Sequence, residues 1–298
     1  VHAAPPDLDV ALLTATLRDG WSIDGPVTYA PVGNGSHHWR VGDAFVTVDD
    51  LGTKPWLGTA YDETFAALRV AYDGAVTLRA TLPFVVAPLP SRDGASTARL
   101  TDRYAVSVLP WLDGLTPAEG DDAVRAVEAL HESDPPPLRT ARPEVPRRES
   151  LEEALRDLAT PWDSGPFGGP ARALLTHGAD DVRRLLDAYD TLAAEPAGPL
   201  VVTHGEPHTG NLLRTRDGGL ALVDWDTVAL GERERDLWLL PSAGGDRRRR
   251  MLYAIRWTLD DAASFVTTLR GPHDDVDAPV LRYLDLTLKT ASDQVRDL

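Results

Sequence analysis

The stretch 201–226, VVTHGEPHTGNLLRTRDGGLALVDWD, constrains this chain more than any other part of it. Short apolar runs suited to strands are separated there by a polar loop and then by a hairpin turn. The loop holds His204, Glu206, His208 and Asn211, and the stretch closes on Asp224 and Asp226. Pairing such strands carries an acid, an amide and two further acids toward one place.

The spacing is specific. A carboxylate five positions before an asparagine, with an aspartate past the next hairpin, is the order of groups in kinase catalytic loops. Phosphoryl transfer needs a carboxylate that orients an acceptor hydroxyl and takes its proton, and hard oxygen ligands for Mg²⁺ on the other side of the transferring phosphate. Glu206 is the candidate base, and Asn211 and Asp224 are the candidate Mg²⁺ ligands. Asp226 has two readings, a second metal or water ligand and a cap for the following turn.

Composition narrows the partners. With 298 residues, 43% of them hydrophobic, the chain can bury a core without disulfides, and it has no cysteine. A net charge of −16 repels nucleic-acid backbones and anionic lipid and favours cationic ligands, although the same acidity also serves solubility. Neither nucleic acid nor a membrane is expected as a partner; a small-molecule acceptor is, for a monomer or homodimer. Residues 1–9 lack the basic region and apolar run of a secretion signal, so a cytoplasmic location is expected. Of the 30 basic residues only Lys54 and Lys289 are lysine.

Periodicity places a helix at 8–17, strands at 27–31, 38–41 and 44–48, a helix at 61–72, and strands at 84–87 and 104–109. Beyond Pro110 helical patterns dominate, at 121–132, 151–159, 180–194, 246–269 and 280–295, with an irregular connection over 135–148. The Arg247 to Arg250 run reads as a solvated helix start. The expected class is α+β: a nucleotide-binding lobe over 1–109, small and mixed around an antiparallel sheet, and a larger, mainly helical lobe over 110–298 with the catalytic loop and acceptor site.

The motifs resemble those of the aminoglycoside phosphotransferase family. Its loop usually reads H-G-D-x-H-x-x-N, here His204-Gly205-Glu206-Pro207-His208-Thr209-Gly210-Asn211, and its metal motif D-W/F-D/E, here Asp224-Trp225-Asp226. The glycine-rich run Gly33-Asn34-Gly35-Ser36-His37-His38-Trp39 is similar to that of spectinomycin phosphotransferase-like members. The resemblance implies a bilobal protein-kinase-like fold that uses ATP or GTP with Mg²⁺ and phosphorylates a hydroxyl of an aminoglycoside-like molecule. A metabolic kinase for a sugar or choline-like alcohol and a nucleotide-binding pseudokinase are the alternatives. Gly33, Gly35 and Ser36 would let backbone amides approach the phosphates. Leu109, Trp111 and Leu112, around Pro110, would form the hinge that meets the nucleobase, with the donated bond coming from a neighbour of Pro110 because proline has no N–H. His204 and Asp236 would brace the loop, and His208 reads either as a substrate contact or as a structural histidine. Glu232, Glu234, Asp260 and Asp261 are candidates for an acidic acceptor wall, or for solvated helix faces.

Two departures from the family pattern stand out. Glu206 replaces the usual aspartate and reaches about 1.5 Å further, a misplacement of the kind that costs about 10²-fold in rate unless the backbone retreats. Thr47 stands where the family carries its phosphate-gripping lysine. Lys54, in the loop beyond that strand, either supplies the missing cation or is an exposed lysine, with Arg40 as another cation in reach. Glu63 on the next helix is the lysine partner that the resemblance implies, or else a solvated residue near a helix start.

Overall fold

The computed structural model describes residues 4–33, 35–141 and 143–298. Asn34 of the glycine-rich run, residues 1–3 and Arg142 therefore lie outside the described residues. Internal contacts concentrate in two compact units: Val1–Ala141 with Pro199–Gly244, and Arg142–Gly198 with Gly245–Leu298.

The first unit is built on a five-stranded antiparallel sheet. Its strands are β1 (Thr28–Ala30), β2 (Ser36–Val41), β3 (Ala44–Asp50), β4 (Ala98–Arg99) and β5 (Tyr104–Pro110), in the order β1-β2-β3-β5-β4. Alternation sorts the two faces. Trp39, Val46, Val48, Val106 and Val108 form one apolar side with Leu13 and Leu17 of helix α1 (Val10–Trp21), whose start is capped by the Asp9 carboxylate accepting from the backbone of Ala11 and Leu12. Ala105, on the other side, joins a core with Leu68, Ala71 and Ala75 of helix α2 (Tyr61–Arg79).

That same core takes in Ala123, Ala126, Val127 and Leu130 of α3 (Asp121–His131) and Val202 of β7 (Leu200–Thr203). It also holds Leu212 of β8 (Leu212–Arg214), Leu222 of β9 (Leu220–Leu222) and Leu237. Strands β8 and β9 form the hairpin, with β6 (Thr116–Pro117) at the edge of β8, and β7 pairs with β10 (Ala229–Glu232). The short helix α6 (Glu234–Leu237) follows.

The second unit consists of α4 (Arg148–Arg156), α5 (Gly168–Ala193), α7 (Arg247–Arg270) and α8 (Ala278–Asp297) around their own apolar core, which includes Leu175, Leu185, Ile255, Ala263 and Leu284. The Asp246 carboxylate caps α7 by accepting from the backbone of Arg248 and Arg249.

The α+β class and the antiparallel sheet match expectation, α1 and α2 run further than expected, to Trp21 and Arg79, and three more details differ. The segment 84–87 is no ladder strand: flanked by Pro83 and Pro88, it makes only an isolated parallel bridge from Val85 to Leu222, with Val86 N–H donating to Leu222 O and Leu222 N–H to Phe84 O. Helix α5 begins at Gly168, well before 180, because Gly168, Gly169 and Pro170 fit a first turn whose N–H groups have no intrahelical partner. Helix α4 ends at Arg156, ahead of the Thr160-Pro161 step that disfavours helix. No described helix is long and apolar enough to cross a membrane.

Candidate active site

A cleft of about 380 Å³ opens within the first unit. Its walls come from the turn between β1 and β2 (Val32, Gly33, His38), from β3 (Phe45, Thr47), from Tyr72 of α2, from Val86 and Pro88, and from 109–112 at the end of β5. The opposite side is Gly210, Asn211, Leu213, Val223, Asp224 and Trp225. Apolar side chains dominate, with Asn211, Asp224 and Thr47 as polar groups among them, which is the usual make-up of a site for a flat, partly polar ligand.

The loop 204–211 is held from below by one carboxylate. Asp236 is fully buried and accepts from His204 N–H at 3.0 Å, Gly205 N–H at 2.6 Å and His131 Nε2 at 2.9 Å. Burial alone would raise its pKa; the His131 hydrogen bond, with Arg235 nearby, outweighs burial and holds it below the usual carboxylate range. Gly205 is required here: its φ is +100°, and a Cβ would sit 2.3 Å from Nη2 of Arg235, whose guanidinium donates to Thr203 Oγ1 and Thr227 O.

His204 works as a brace. Its Nδ1 accepts from Glu206 N–H at 3.2 Å and its Nε2 meets Val223 O at 2.9 Å, which fits the neutral ring protonated on Nε2. The ring stands edge-on to Trp225, and burial pushes its pKa down to about 4. The far end of the loop closes through Asn211, whose Nδ2 donates to Glu206 O at 3.1 Å while its backbone N–H reaches His208 O. Val223 N–H donates to Asn211 O and so ties the loop to the strand that leads into Asp224. His208 Nδ1 accepts from Gly210 N–H, and burial lowers its pKa. Asn211 and Asp224 thus share one wall of the cleft, with Glu206 bonded to Asn211 through its carbonyl.

Asp224 has φ +66°, a left-handed conformation uncommon outside glycine. Its side chain is exposed at the cleft wall, yet desolvation by the protein around it, together with the charges of Asp226, Glu206 and Asp49, raises its pKa well above the usual value, opposed by Lys54. Lys54 is only 2% exposed, so the reading as a surface lysine is overturned. Its ammonium lies 2.6 Å from Asp226 Oδ2 and 3.0 Å from Asp49 Oδ1, and donates to Ser36 Oγ at 3.2 Å. Burial would lower its pKa, but Asp226, Asp49 and Asp224 outweigh that and raise it. Ser36 Oγ donates in turn to Asp49, so this side chain belongs to the lysine's surroundings. Asp49 and Tyr72, whose hydroxyl donates to Asp49 Oδ2 at 3.1 Å, were not singled out from sequence. The signal was there in the adjacent pair Asp49-Asp50 closing an apolar strand, two residues beyond Thr47 on the same face.

Other expected groups are placed differently. Glu63 is exposed and accepts from the Thr59 backbone N–H at 2.9 Å; the ion pairs of Lys54 go to Asp49 and Asp226 instead. Thr47 Oγ1 lies 3.2 Å from His38 Nδ1, and His38 stacks on Phe45. At the end of β5, Trp111 N–H donates to Asp43 O, and among the described residues no backbone bond engages Leu112 N–H. Arg40 lies over the Trp111 ring, 4.3 Å from its centroid. Gly33 (φ +70°) and Gly35 (φ +91°) adopt conformations natural to glycine. Glu232 and Glu234 are buried in the first unit and are not on a solvated face. Asp260 and Asp261 belong to α7 in the second unit; burial raises both, and the neighbouring Asp260 helps push Asp261 to about 7.

Comparison with known proteins gives this geometry a context. The sequence is 26% identical over 294 residues to Protein StrN of Streptomyces griseus, covering 89% of this chain and 87% of that one. The structure superposes on spectinomycin phosphotransferase APH(9)-Ia, solved with ADP and spectinomycin, with a TM-score of 0.74 at 13% identity over 97% of this chain and 99% of that chain. A microcompartment-associated aminopropanol kinase gives 0.60 at 15% identity, over 97% and 98%. These likenesses establish a shared protein-kinase-like fold. The sequence pattern of the phosphotransferase enzyme family matches residues 36–269, and the chain therefore belongs to that family.

Proposed function

We propose that this phosphotransferase moves the γ-phosphoryl group of ATP or GTP to a hydroxyl of a small, polar, cationic acceptor of the aminoglycoside-like kind. Residues 1–109 act as the nucleotide lobe, and 110–298 supply the catalytic loop and acceptor site. The observation that carries the reading is the convergence of Asn211 and Asp224 on one wall of a cleft, with Glu206 bonded to Asn211.

The donor set suits Mg²⁺. Asn211 spends its amide N–H on Glu206 O, which leaves the amide oxygen as a hard ligand, and Asp224 sits among other acids in a place that calls for positive charge. When bound, the metal offsets the charge of the triphosphate. Asn211 and Asp224 would hold it, while the carboxylate of Asp226 is already engaged by Lys54. Phe45, Leu109 and Trp111, which line the cleft, would hold the base with Leu112 as the backbone donor, and the Gly33 turn and Thr47 would hold the phosphates.

Glu206 accepts the hydrogen bond of the acceptor hydroxyl and takes its proton as the oxygen attacks the γ-phosphorus. The bond from that phosphorus to the β–γ bridging oxygen breaks, and the nucleoside diphosphate leaves with the electron pair. His208, close to Glu206 in sequence, is the acceptor-side candidate. The net charge of −16 supports a cationic acceptor.

A metabolic kinase of amino alcohols is the second reading, favoured by the likeness to the aminopropanol kinase. Purified protein with labelled ATP or GTP and Mg²⁺ is assayed against aminoglycosides, spectinomycin, sugars, choline and aminopropanol. Transfer to one class, absent in Glu206→Gln, supports the proposal and selects the class. Nucleotide binding without transfer to any acceptor replaces it with a nucleotide-binding pseudokinase.

A further inference from the structure

The Lys54 ammonium donates to Asp226 Oδ2 and Ser36 Oγ and forms an ion pair with Asp49 Oδ1 at 3.0 Å, so its polar partners lie inside the protein. The loop that delivers it is fixed as well. Asp50 accepts from Gly52 N–H and from the Arg103 guanidinium, Thr53 Oγ1 donates to Asp50 O, and Leu57 N–H donates to Lys54 O. Asp49 is held on its other oxygen by the Tyr72 hydroxyl. A phosphate oxygen gripped by this lysine would compete for its charge with two buried carboxylates, Asp49 and Asp226, and leave them less compensated.

We propose that Lys54 is a positioning residue: it ties the turn carrying Asp224 to strand β3 through Asp226, and does not grip the nucleotide phosphates. The inference rests on the kinase reading above. Asp226 stands two residues past Asp224, in the short 3₁₀ turn Trp225–Thr227, and Trp225 between them is buried with its Nε1 donating to Leu222 O. Fixing Asp226 therefore fixes the left-handed turn at Asp224, a conformation that persists only where its surroundings over-determine it. Lys54 also places one positive charge beside two buried acids, Asp49 and Asp226, and near Asp224. The strand position usual for such a lysine is Thr47, whose hydroxyl is engaged with His38.

The test is calorimetric binding of ADP to the full chain, with Mg²⁺ and with the metal chelated, for the wild type, Lys54→Met and Asp226→Asn. In Lys54→Met the gain in ADP affinity on adding Mg²⁺ falls by about 10- to 100-fold, while metal-free affinity stays within about twofold of wild type. Equal weakening with and without metal means a direct grip on phosphate and overturns the proposal, as does an unchanged metal gain. Should Lys54→Met melt at the assay temperature, Asp226→Asn decides. Metal-free ADP affinity equal to wild type supports positioning, whereas tighter metal-free binding means the released ammonium reaches phosphate. A wild-type protein that binds no ADP under either condition removes the nucleotide reading itself.

Discussion

His131 Nε2 lies 2.9 Å from Asp236 Oδ2, joining positions 105 residues apart, and the same buried carboxylate accepts the backbone N–H groups of His204 and Gly205. The start of the 204–211 loop therefore hangs from a side chain of α6 that is itself locked to α3. Asp236→Ala leaves two buried backbone donors and His131 without their acceptor, and is expected to lower stability by about 3–5 kcal/mol in urea denaturation. A loss under about 1 kcal/mol would mean that the loop is held by something else.

Glu206→Gln keeps the shape and hydrogen-bonding reach of the side chain but removes its basicity. Acceptor-dependent turnover of labelled nucleotide is expected to drop about 10²- to 10⁴-fold with ADP affinity unchanged. A variant that retains wild-type turnover would take the base role away from Glu206.

Asp224 is exposed at the cleft wall but stands near Asp226, Asp49 and Glu206, whose charges help raise its pKa, and Lys54 opposes them. In a carboxylate whose folded pKa is raised, ionisation at neutral pH works against folding. Asp224→Asn is therefore expected to melt higher than wild type in metal-free buffer at pH 7.5, while turnover falls about 10²-fold or more. Opposite signs in the two measurements are the mark of a group kept for function at the expense of stability. A lower melting temperature would contradict the charge argument.

His204 is buried and neutral, with its pKa depressed to about 4 from a usual value of 6.5. Between those values the unfolded chain binds the proton and the folded one does not, so stability is complete above about 6.5 and declines as pH falls toward 4. At pH 5 this residue alone is expected to cost about 2 kcal/mol relative to pH 7.5. Denaturation curves at the two pH values check it, and His204→Gln should reduce the difference by about that amount, with His38, also lowered to about 4, still contributing. An unchanged difference in that variant would assign the acid sensitivity to other groups.

What could be read from sequence was what is local. The strand and loop pattern of 201–226 places Asn211 and Asp224 together because one hairpin, β8 to β9, brings them there, and hairpin geometry follows from short-range alternation and turn chemistry. The surroundings of Lys54 were out of reach. Its carboxylate partners sit five positions before it and 172 positions after it, and although the Asp49-Asp50 pair closing an apolar strand marks one of them, nothing local joins either to this lysine. Glu63 was the partner suggested by resemblance, yet an acidic residue in the first turn of a helix has a local use of its own, and here it bonds Thr59. His131 was missed for a related reason, since one histidine at the end of an amphipathic helix carries no periodic signal. The early start of α5 was hidden by glycines and a proline, residues that serve a helix's first turn as readily as a loop.

The two lysines differ in a way that makes one of them a natural reporter. Lys289 lies on α8 with its side chain largely in water beside Asp285, whereas Lys54 is sealed in. Of the two lysines, amine-directed reagents should label the first and spare the second, leaving the interior intact. Isotopic labelling of lysine alone would give two side-chain nitrogen signals, and the slowly exchanging one would read out the charged interior directly.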